Sequence, residues 1–174
     1  ELFEDTQSPT PPAPAMSKPN NRLDAVFVVH GHDEAAKSEV TSYLKDLGIT
    51  PIVLNDQPNK GKTIIEKLEF YADKATFAIA LLTPDDEGKS KAEASQSARA
   101  RQNVVLELGF FIGKLGRDNT CALYKKEVEL PDFELPSDYS GVVYTPLDNS
   151  GGWKLLLAKE LKAAGFKIDI NKLI

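Results

Sequence analysis

The sequence predicts an α/β fold, a doubly wound, flavodoxin-like parallel sheet of about five strands with helices on both faces. Short apolar segments alternate with amphipathic helical patterns from Asp24 onward. The segment from Thr76 to Leu82 is apolar without alternation, which is typical of a central parallel strand buried on both faces. A chain of 174 residues with a hydrophobic fraction of 41% can bury a core of this size.

Apolar segments of strand length occur at regular intervals along the chain. Strands are expected at residues 25–30, 49–54, 76–82, 120–124 and 141–144. The loops that follow the first three strands are polar, which is typical of connections at the surface of a domain.

Four helices are expected between and after these strands. Asp33 can cap the first, Gly48 ends it, and Thr63 with Glu66 forms a capping box for the second. The third is predicted at about residues 102–114 and the fourth at residues 153–164. The apolar positions of the first two helices are Ala36, Val40, Tyr43, Leu44 and Leu47, then Ile64, Ile65, Leu68, Tyr71 and Ala72.

Residues 1–22 have a different composition from the remainder. They hold five prolines and little apolar periodicity, so we expect a disordered, proline-rich linker there and the folded domain at residues 23–174. A linker joins modules, which leads us to expect an upstream sensor module in the full-length chain. The five prolines are Pro9, Pro11, Pro12, Pro14 and Pro19.

The net charge and the cysteine content exclude several kinds of binding partner and metal site. The net charge of −5 argues against broad nucleic-acid or membrane-surface binding, and we expect neither partner. The apolar segments are too short to cross a bilayer, which takes about 20 residues. A single cysteine, Cys121, excludes an internal disulfide and a cysteine-based metal site. We expect a cytoplasmic protein without a metal.

Ligands of doubly wound sheets bind outside the carboxyl ends of the strands. In this sequence those ends are followed by His30 to Asp33, the loop from Asn55 to Lys62, and the polar stretch from Thr83 to Gln102. A structureless loop as long as the third is uncommon and usually functional or mobile, although a tolerated surface insertion is the simpler alternative.

Glu107 is the candidate catalytic residue. It is the only ionisable residue in the apolar segment from Val104 to Ile112, and burial of a lone carboxylate is costly unless it opens into a cleft or meets a cation. The purely structural alternative is an ion pair with Lys114, Arg101 or Arg99. A single carboxylate fits the cleavage of an N-ribosyl bond to a cationic ring, because that leaving group departs neutral and needs no proton.

Several other motifs are weaker. The segment from Asn59 to Thr63 resembles the end of a phosphate-binding P-loop, but Asp56 stands where that pattern requires glycine; the helix start after it can still cradle one phosphate. His30 and His32 make a poor zinc site without further ligands. Asp33 with Asp85 and Asp86 makes an imperfect phosphoacceptor cluster.

Three segments together resemble the bacterial TIR-like (Toll/interleukin-1 receptor-like) "predicted nucleotide-binding" domains of anti-phage systems. They are residues 26–34 (VFVVHGHDE), 80–85 (ALLTPD) and 100–116 (ARQNVVLELGFFIGKLG), of which the last is the most specific. The resemblance covers about residues 24–166. It implies an NAD glycohydrolase that releases nicotinamide and linear or cyclic ADP-ribose, with NAD as substrate and no cofactor.

The resemblance also implies roles for individual residues. Glu107 matches the catalytic glutamate, while Gly31, His32 and Asp33 are expected to line the nucleotide cleft, with the phosphates near the amides after Gly31. The loop from Asn55 to Lys62 is expected to pack against the next subunit, so that activity rises with oligomerisation.

Within the matching motifs, Asp85, Arg101 and Asn103 are further candidates for substrate binding. Asn103 replaces the tryptophan found in animal members of the family, so stacking on nicotinamide would fall to Phe110 or Tyr71. Two alternatives stay open: the glutamate helix is also similar to that of nucleoside deoxyribosyltransferases, and a non-catalytic TIR-like nucleotide-binding and assembly module fits the same pattern.

Overall fold

A computed structural model describes residues 25–88, 97–125, 133 and 141–169. The strands are β1 (Ala25–Val29), β2 (Thr50–Val53), β3 (Phe77–Leu82), β4 (Asp86–Gly88), β5 (Ser97–Arg99), β6 (Thr120–Tyr124) and β7 (Val143–Pro146). The helices are α1 (Glu34–Asp46), α2 (Ile64–Ala72), α3 (Gln102–Leu115) and α4 (Gly152–Ala163), with a short 3-10 turn at Arg117–Asn119. The predicted linker at residues 1–22 lies outside the described residues.

Five of the strands form one parallel sheet in the order β2-β1-β3-β6-β7. This is the flavodoxin-like order, so the predicted fold class is confirmed. The chain leaves β1 toward β2 on one side and returns through α2 to β3 on the other. The strand order therefore reverses at β1 and β3, which is where such sheets bind ligands.

The two faces of the sheet carry separate apolar cores because successive strand residues point to opposite sides. Val26 and Val28 of β1 face α1 and α4, where Trp153 is among the largest fully buried side chains. Phe27 and Val29 face α2 and α3, and Phe27 packs on Phe111 with ring centroids 4.6 Å apart. This second face positions the candidate site.

The helix starts that the sequence predicted are present. The Asp33 carboxylate accepts a hydrogen bond from the Ala36 amide at 2.9 Å and so caps α1. Thr63 and Glu66 form the reciprocal capping box of α2, with the Glu66 carboxylate 2.8 Å from the Thr63 amide. Helix α3 begins after Arg101 without a side-chain cap.

Three expectations were wrong in detail. The stretch from Thr83 to Gln102 is not structureless, because β4 and β5 pair antiparallel within it. The last strand runs two residues later than expected, as Val143–Pro146. Ile64 and Ile65 do not contribute to a buried stripe: they are 76% and 69% exposed, because the first turn of α2 extends past the apolar layer.

Cys121 lies in the middle of β6 and is 2% exposed. Burial raises the pKa of its thiol, with a smaller contribution from the negative charge of Glu160. Over the part of the chain that the structure describes, no helix has the length and apolarity needed to cross a bilayer.

Candidate active site

The candidate site lies at the carboxyl edge of the sheet, beside the point where the strand order reverses. Asp73 just after α2 pairs with Lys114 near the end of α3 at 2.5 Å. Helices α2 and α3 pack on the same face of the sheet and lead into the parallel strands β3 and β6, so they run in the same direction. Their N-terminal ends consequently face the same edge, next to the ends of β1 and β2. Glu107 lies in the second turn of α3 at this position.

Glu107 is held at the boundary between core and solvent. Its neighbours Val104, Leu108 and Phe111 are buried, whereas Leu106 is 74% exposed. The expectation of a helix that is apolar and buried nearly all round therefore fails at Leu106. Glu107 itself is half-buried and opens into a pocket of about 40 Å³, whose lining residues are Val28, Val29, His30, Leu54, Asn55 and Glu107.

No cation neutralises Glu107 among the described residues. Lys114 is paired with Asp73, and Arg101 is near enough to lower the pKa of Glu107 electrostatically but contacts His32 instead. Desolvation by burial is the larger effect and raises the pKa of Glu107 from 4.5 to about 7. A carboxylate with a strongly perturbed pKa in a pocket is typical of a functional site.

Arg101 and His32 form a polar contact on the solvent side of the pocket. The Arg101 Nη1 donates to His32 Nε2 at 2.6 Å. A guanidinium can only donate, so His32 Nε2 is the acceptor in this contact. The structure thus joins two of the predicted binding residues and holds the Arg101 charge close to Glu107.

Asp85 closes over the turn after β1. Its Oδ2 accepts hydrogen bonds from the Thr83 hydroxyl at 2.8 Å and from the His32 amide at 3.1 Å. A Cβ placed on Gly31 would lie 1.7 Å from the same oxygen, so only glycine allows this close approach. The position of the Asp85 carboxylate therefore depends on the absence of a side chain at residue 31.

The Asp33 carboxylate is already engaged in contacts within the protein. Besides capping α1, it forms an ion pair with Lys125 at 2.7 Å. Burial alone would raise the pKa of Asp33, but the Lys125 ammonium and the amides at the start of α1 outweigh it and hold this pKa below the ordinary value.

His30 and Asn55 line the Glu107 pocket, although neither was among the candidate site residues chosen from the sequence. The His30 Nδ1 donates to the Gly31 carbonyl at 2.8 Å. Burial lowers the pKa of His30, so the ring is neutral at pH 7 and its Nε2 can accept a hydrogen bond. The signal that marks both residues is their position within two residues of the carboxyl end of an apolar strand.

The remaining predicted residues occupy different surroundings. Asn103 is exposed one turn before Glu107. Tyr71 is 6% exposed and packed in the core, so its ring is not available for stacking on a ligand, whereas Phe110 is half-buried next to Phe111. Within residues 25–88, 97–125 and 141–169, no three His, Cys, Asp or Glu side chains come together as a metal site.

A second, larger cavity adjoins the Glu107 pocket. It has a volume of about 300 Å³, and Leu54 and Asn55 belong to the walls of both. Its other lining residues are Asn59, Lys62, Ile64 and Lys67. The loop from Asn55 to Lys62, expected at a subunit contact, lines the larger cavity through Asn55, Asn59 and Lys62 and reaches the Glu107 pocket through Asn55 alone.

The family of the chain follows from comparison with known proteins. Residues 25–149 match the family model described as the TIR domain of CAP12/Pycsar effector proteins. The chain belongs to this TIR-domain family. The match spans the Glu107 helix and both cavities, and it confirms the resemblance found in the three sequence segments.

Relatives of this TIR domain occur in bacteria and in an amoeba. The chain is 45% identical over 161 residues to protein YuaY of Escherichia coli K12, covering 92% of this chain and 52% of that protein. It is 37% identical to protein tirC of Dictyostelium discoideum, over 75% of this chain and 67% of that protein. It is 40% identical to the Pycsar effector PaPycTIR of Pseudomonas aeruginosa, over 45% of this chain and 24% of that protein. The stretches that match this chain therefore make up about half of YuaY and about a quarter of the Pycsar effector.

Proposed function

We propose that this TIR domain is an NAD glycohydrolase that cleaves the bond between nicotinamide and ribose to give nicotinamide and linear or cyclic ADP-ribose. The observation that carries the proposal is the position of Glu107: a carboxylate with no ion-pair partner in the described part of the chain, half-buried at the carboxyl edge of a doubly wound sheet. The family membership supports the same activity.

The chemistry needs little more than this carboxylate. The bond from the ribose C1′ to the nicotinamide nitrogen breaks, its electron pair stays on nicotinamide, and the ring leaves as a neutral molecule. Glu107 stabilises the oxocarbenium-like ribose that remains. Water then adds to C1′ and releases a proton in hydrolysis, or a nitrogen of the adenine adds instead and gives the cyclic product.

The raised pKa of Glu107 fits this role. A cationic nicotinamide favours ionisation of a nearby carboxyl, so substrate binding would convert protonated Glu107 to the active carboxylate. The attraction between the two charges then offsets the energetic cost of the buried carboxylate. A neutral His30 beside it is able to accept a hydrogen bond from a ribose hydroxyl.

Activity should depend on assembly. A pocket of about 40 Å³ has room for a few water molecules, while ligand pockets usually measure at least about 300 Å³. The site therefore has to open, and we propose that it opens by movement of the loop from Asn55 to Lys62, which reaches the pocket through Asn55. Self-association through this loop, driven by an upstream sensor module, would couple activation of a bacterial anti-phage effector to NAD loss.

Incubation of the chain with NAD at high protein concentration tests the proposal. We expect nicotinamide release that Glu107→Gln reduces by at least about 10²-fold, whereas Glu69→Gln, which alters an exposed glutamate of α2, retains it. Equal turnover by the Glu107→Gln protein would refute the mechanism. Base exchange on deoxynucleosides without NAD loss would instead identify a deoxyribosyltransferase. If assembled protein catalysed neither reaction, the domain would be a non-catalytic scaffold.

Self-association is tested by varying protein concentration from about nanomolar to about 100 micromolar. We expect specific activity to rise steeply as oligomers form, and fusion to an oligomerising tag to raise it at low concentration. A monomer with constant specific activity over the whole range would show that one chain completes the site.

A further inference from the structure

Lys67 is a buried cation without a counter-charge. It is 6% exposed, and its ammonium donates to the Asn59 side-chain oxygen at 2.9 Å. No carboxylate pairs with it within the described residues, in contrast to Lys114 and Lys125, which pair with Asp73 and Asp33. Burial of an ammonium is unfavourable unless an anion or several hydrogen-bond acceptors replace the water molecules that it loses. The single amide oxygen of Asn59 replaces only one of them.

Lys67 belongs to the wall of the 300 Å³ cavity, which is suited to an anion. Lys62 contributes a second positive charge, Asn55 and Asn59 contribute amide groups, and none of the lining residues is acidic. Glu66 lies on the exposed side of α2, where it accepts hydrogen bonds from the Thr63 amide and hydroxyl. The cavity is large enough for part of a ligand rather than for a single ion.

The turn before α1 is less suited to an anion. The His32 amide already donates to Asp85 and the Ala36 amide already donates to Asp33. The carboxylates of Asp33 and Asp85 would also repel a phosphate placed there. The expected position of the phosphates after Gly31 is therefore disfavoured by the donors that are occupied.

We infer that the cavity formed around Lys67 is the subsite for the diphosphate of the dinucleotide. This inference rests on the proposed function for the identity of the ligand. Because Leu54 and Asn55 are shared by both cavities, one extended molecule can reach from Glu107 to Lys67. Its nicotinamide riboside end would lie at Glu107 and its phosphates would supply the anion that Lys67 lacks.

Two exposed isoleucines provide a matched test. Ile64 lines the cavity and Ile65 does not, while both lie at the start of α2 and are 76% and 69% exposed. Ile64→Glu and Ile65→Glu therefore make the same change in net charge, and a glutamate in the first turn of a helix is compatible with folding. Lys67→Met removes the buried charge while keeping a chain of similar length.

Calorimetric titration of the full chain with inorganic pyrophosphate and with ADP-ribose measures the effect. We expect Ile64→Glu and Lys67→Met each to weaken both ligands by about tenfold or more, and Ile65→Glu by less than about twofold. In NAD cleavage, Lys67→Met should raise KM by a similar factor with kcat nearly unchanged.

The outcomes separate this inference from the proposed function. Equal affinities of the wild-type and Lys67→Met proteins, or equal losses in the two isoleucine variants, would overturn the subsite whatever the enzymatic activity. Pyrophosphate binding that depends on Lys67, in a chain that releases no nicotinamide, would leave the anion subsite in place and overturn the glycohydrolase. If Lys67→Met does not fold, the isoleucine pair decides alone.

Discussion

Glu107→Gln should stabilise the fold, and the gain should depend on pH. Burial raises the pKa of Glu107 from 4.5 to about 7, so the folded protein keeps a proton that the unfolded chain has released between these values. The stability that this protonation supplies is fully present below about pH 4.5 and is lost as the pH rises through about 7. Glutamine is neutral at every pH and avoids the loss.

The size of the gain follows from the change in pKa. Each pH unit is worth about 1.4 kcal/mol, which sets an upper bound of about 3 kcal/mol for Glu107. Because the side chain is only half-buried and solvent screens its charge, about 1 to 3 kcal/mol is expected above pH 8. For a domain of this size that corresponds to a rise in Tm of about 2–12 °C.

Urea unfolding of both proteins, monitored from about pH 5 to about pH 8.5, measures this difference. The wild-type protein should lose stability relative to Glu107→Gln across that range, while the exposed Glu69→Gln control should follow the wild type. A difference between Glu107→Gln and wild type that is the same at both ends of the range would show that Glu107 does not carry a raised pKa.

Three further predictions concern the same edge of the sheet. The pH profile of kcat/KM for NAD cleavage should have an ascending limb near pH 7, since ionised Glu107 is required; a limb near 4.5 would contradict this. Gly31→Ala should lower the free energy of unfolding by about 1–3 kcal/mol, because its Cβ would displace the Asp85 carboxylate, and Asp85→Ala should restore part of the loss. Thr63→Ala should cost about 1 kcal/mol in denaturation by removing the capping box of α2, and a change of less than about 0.3 kcal/mol would mean that the box contributes nothing.

The elements that could be predicted from sequence are those whose signals are local. The capping box at Thr63 and the uninterrupted apolar strand β3 each carry their information within a few residues. The ribbon of β4 and β5 could not be found in the same way, because its residues show no apolar alternation and its pairing depends on backbone hydrogen bonds between separated segments. The exposure of Ile64 depends on where α2 starts relative to the sheet edge, which the helical pattern does not contain.

For the candidate site, too, the local features could be predicted from the sequence and the tertiary contacts could not. Glu107 could be chosen from sequence because a lone carboxylate in an apolar helix is a local anomaly. The strand ends around its pocket were also predicted, but not which of their residues line it, since only the tertiary fold brings His30 and Asn55 to Glu107. Lys67 did leave a signal: it lies four residues before Tyr71, on the face of α2 that is buried.

The lone cysteine of the chain provides a reporter of folding that needs no mutation. Cys121 is 2% exposed in β6, the strand between β3 and β7, and its thiol reaches solvent only when the sheet opens. The rate at which a thiol reagent labels the native protein therefore measures the opening of the sheet directly. A ligand that binds at the sheet edge stabilises the closed sheet, so ADP-ribose should slow the labelling of Cys121 in the wild-type protein. It should not slow the labelling of the Lys67→Met protein.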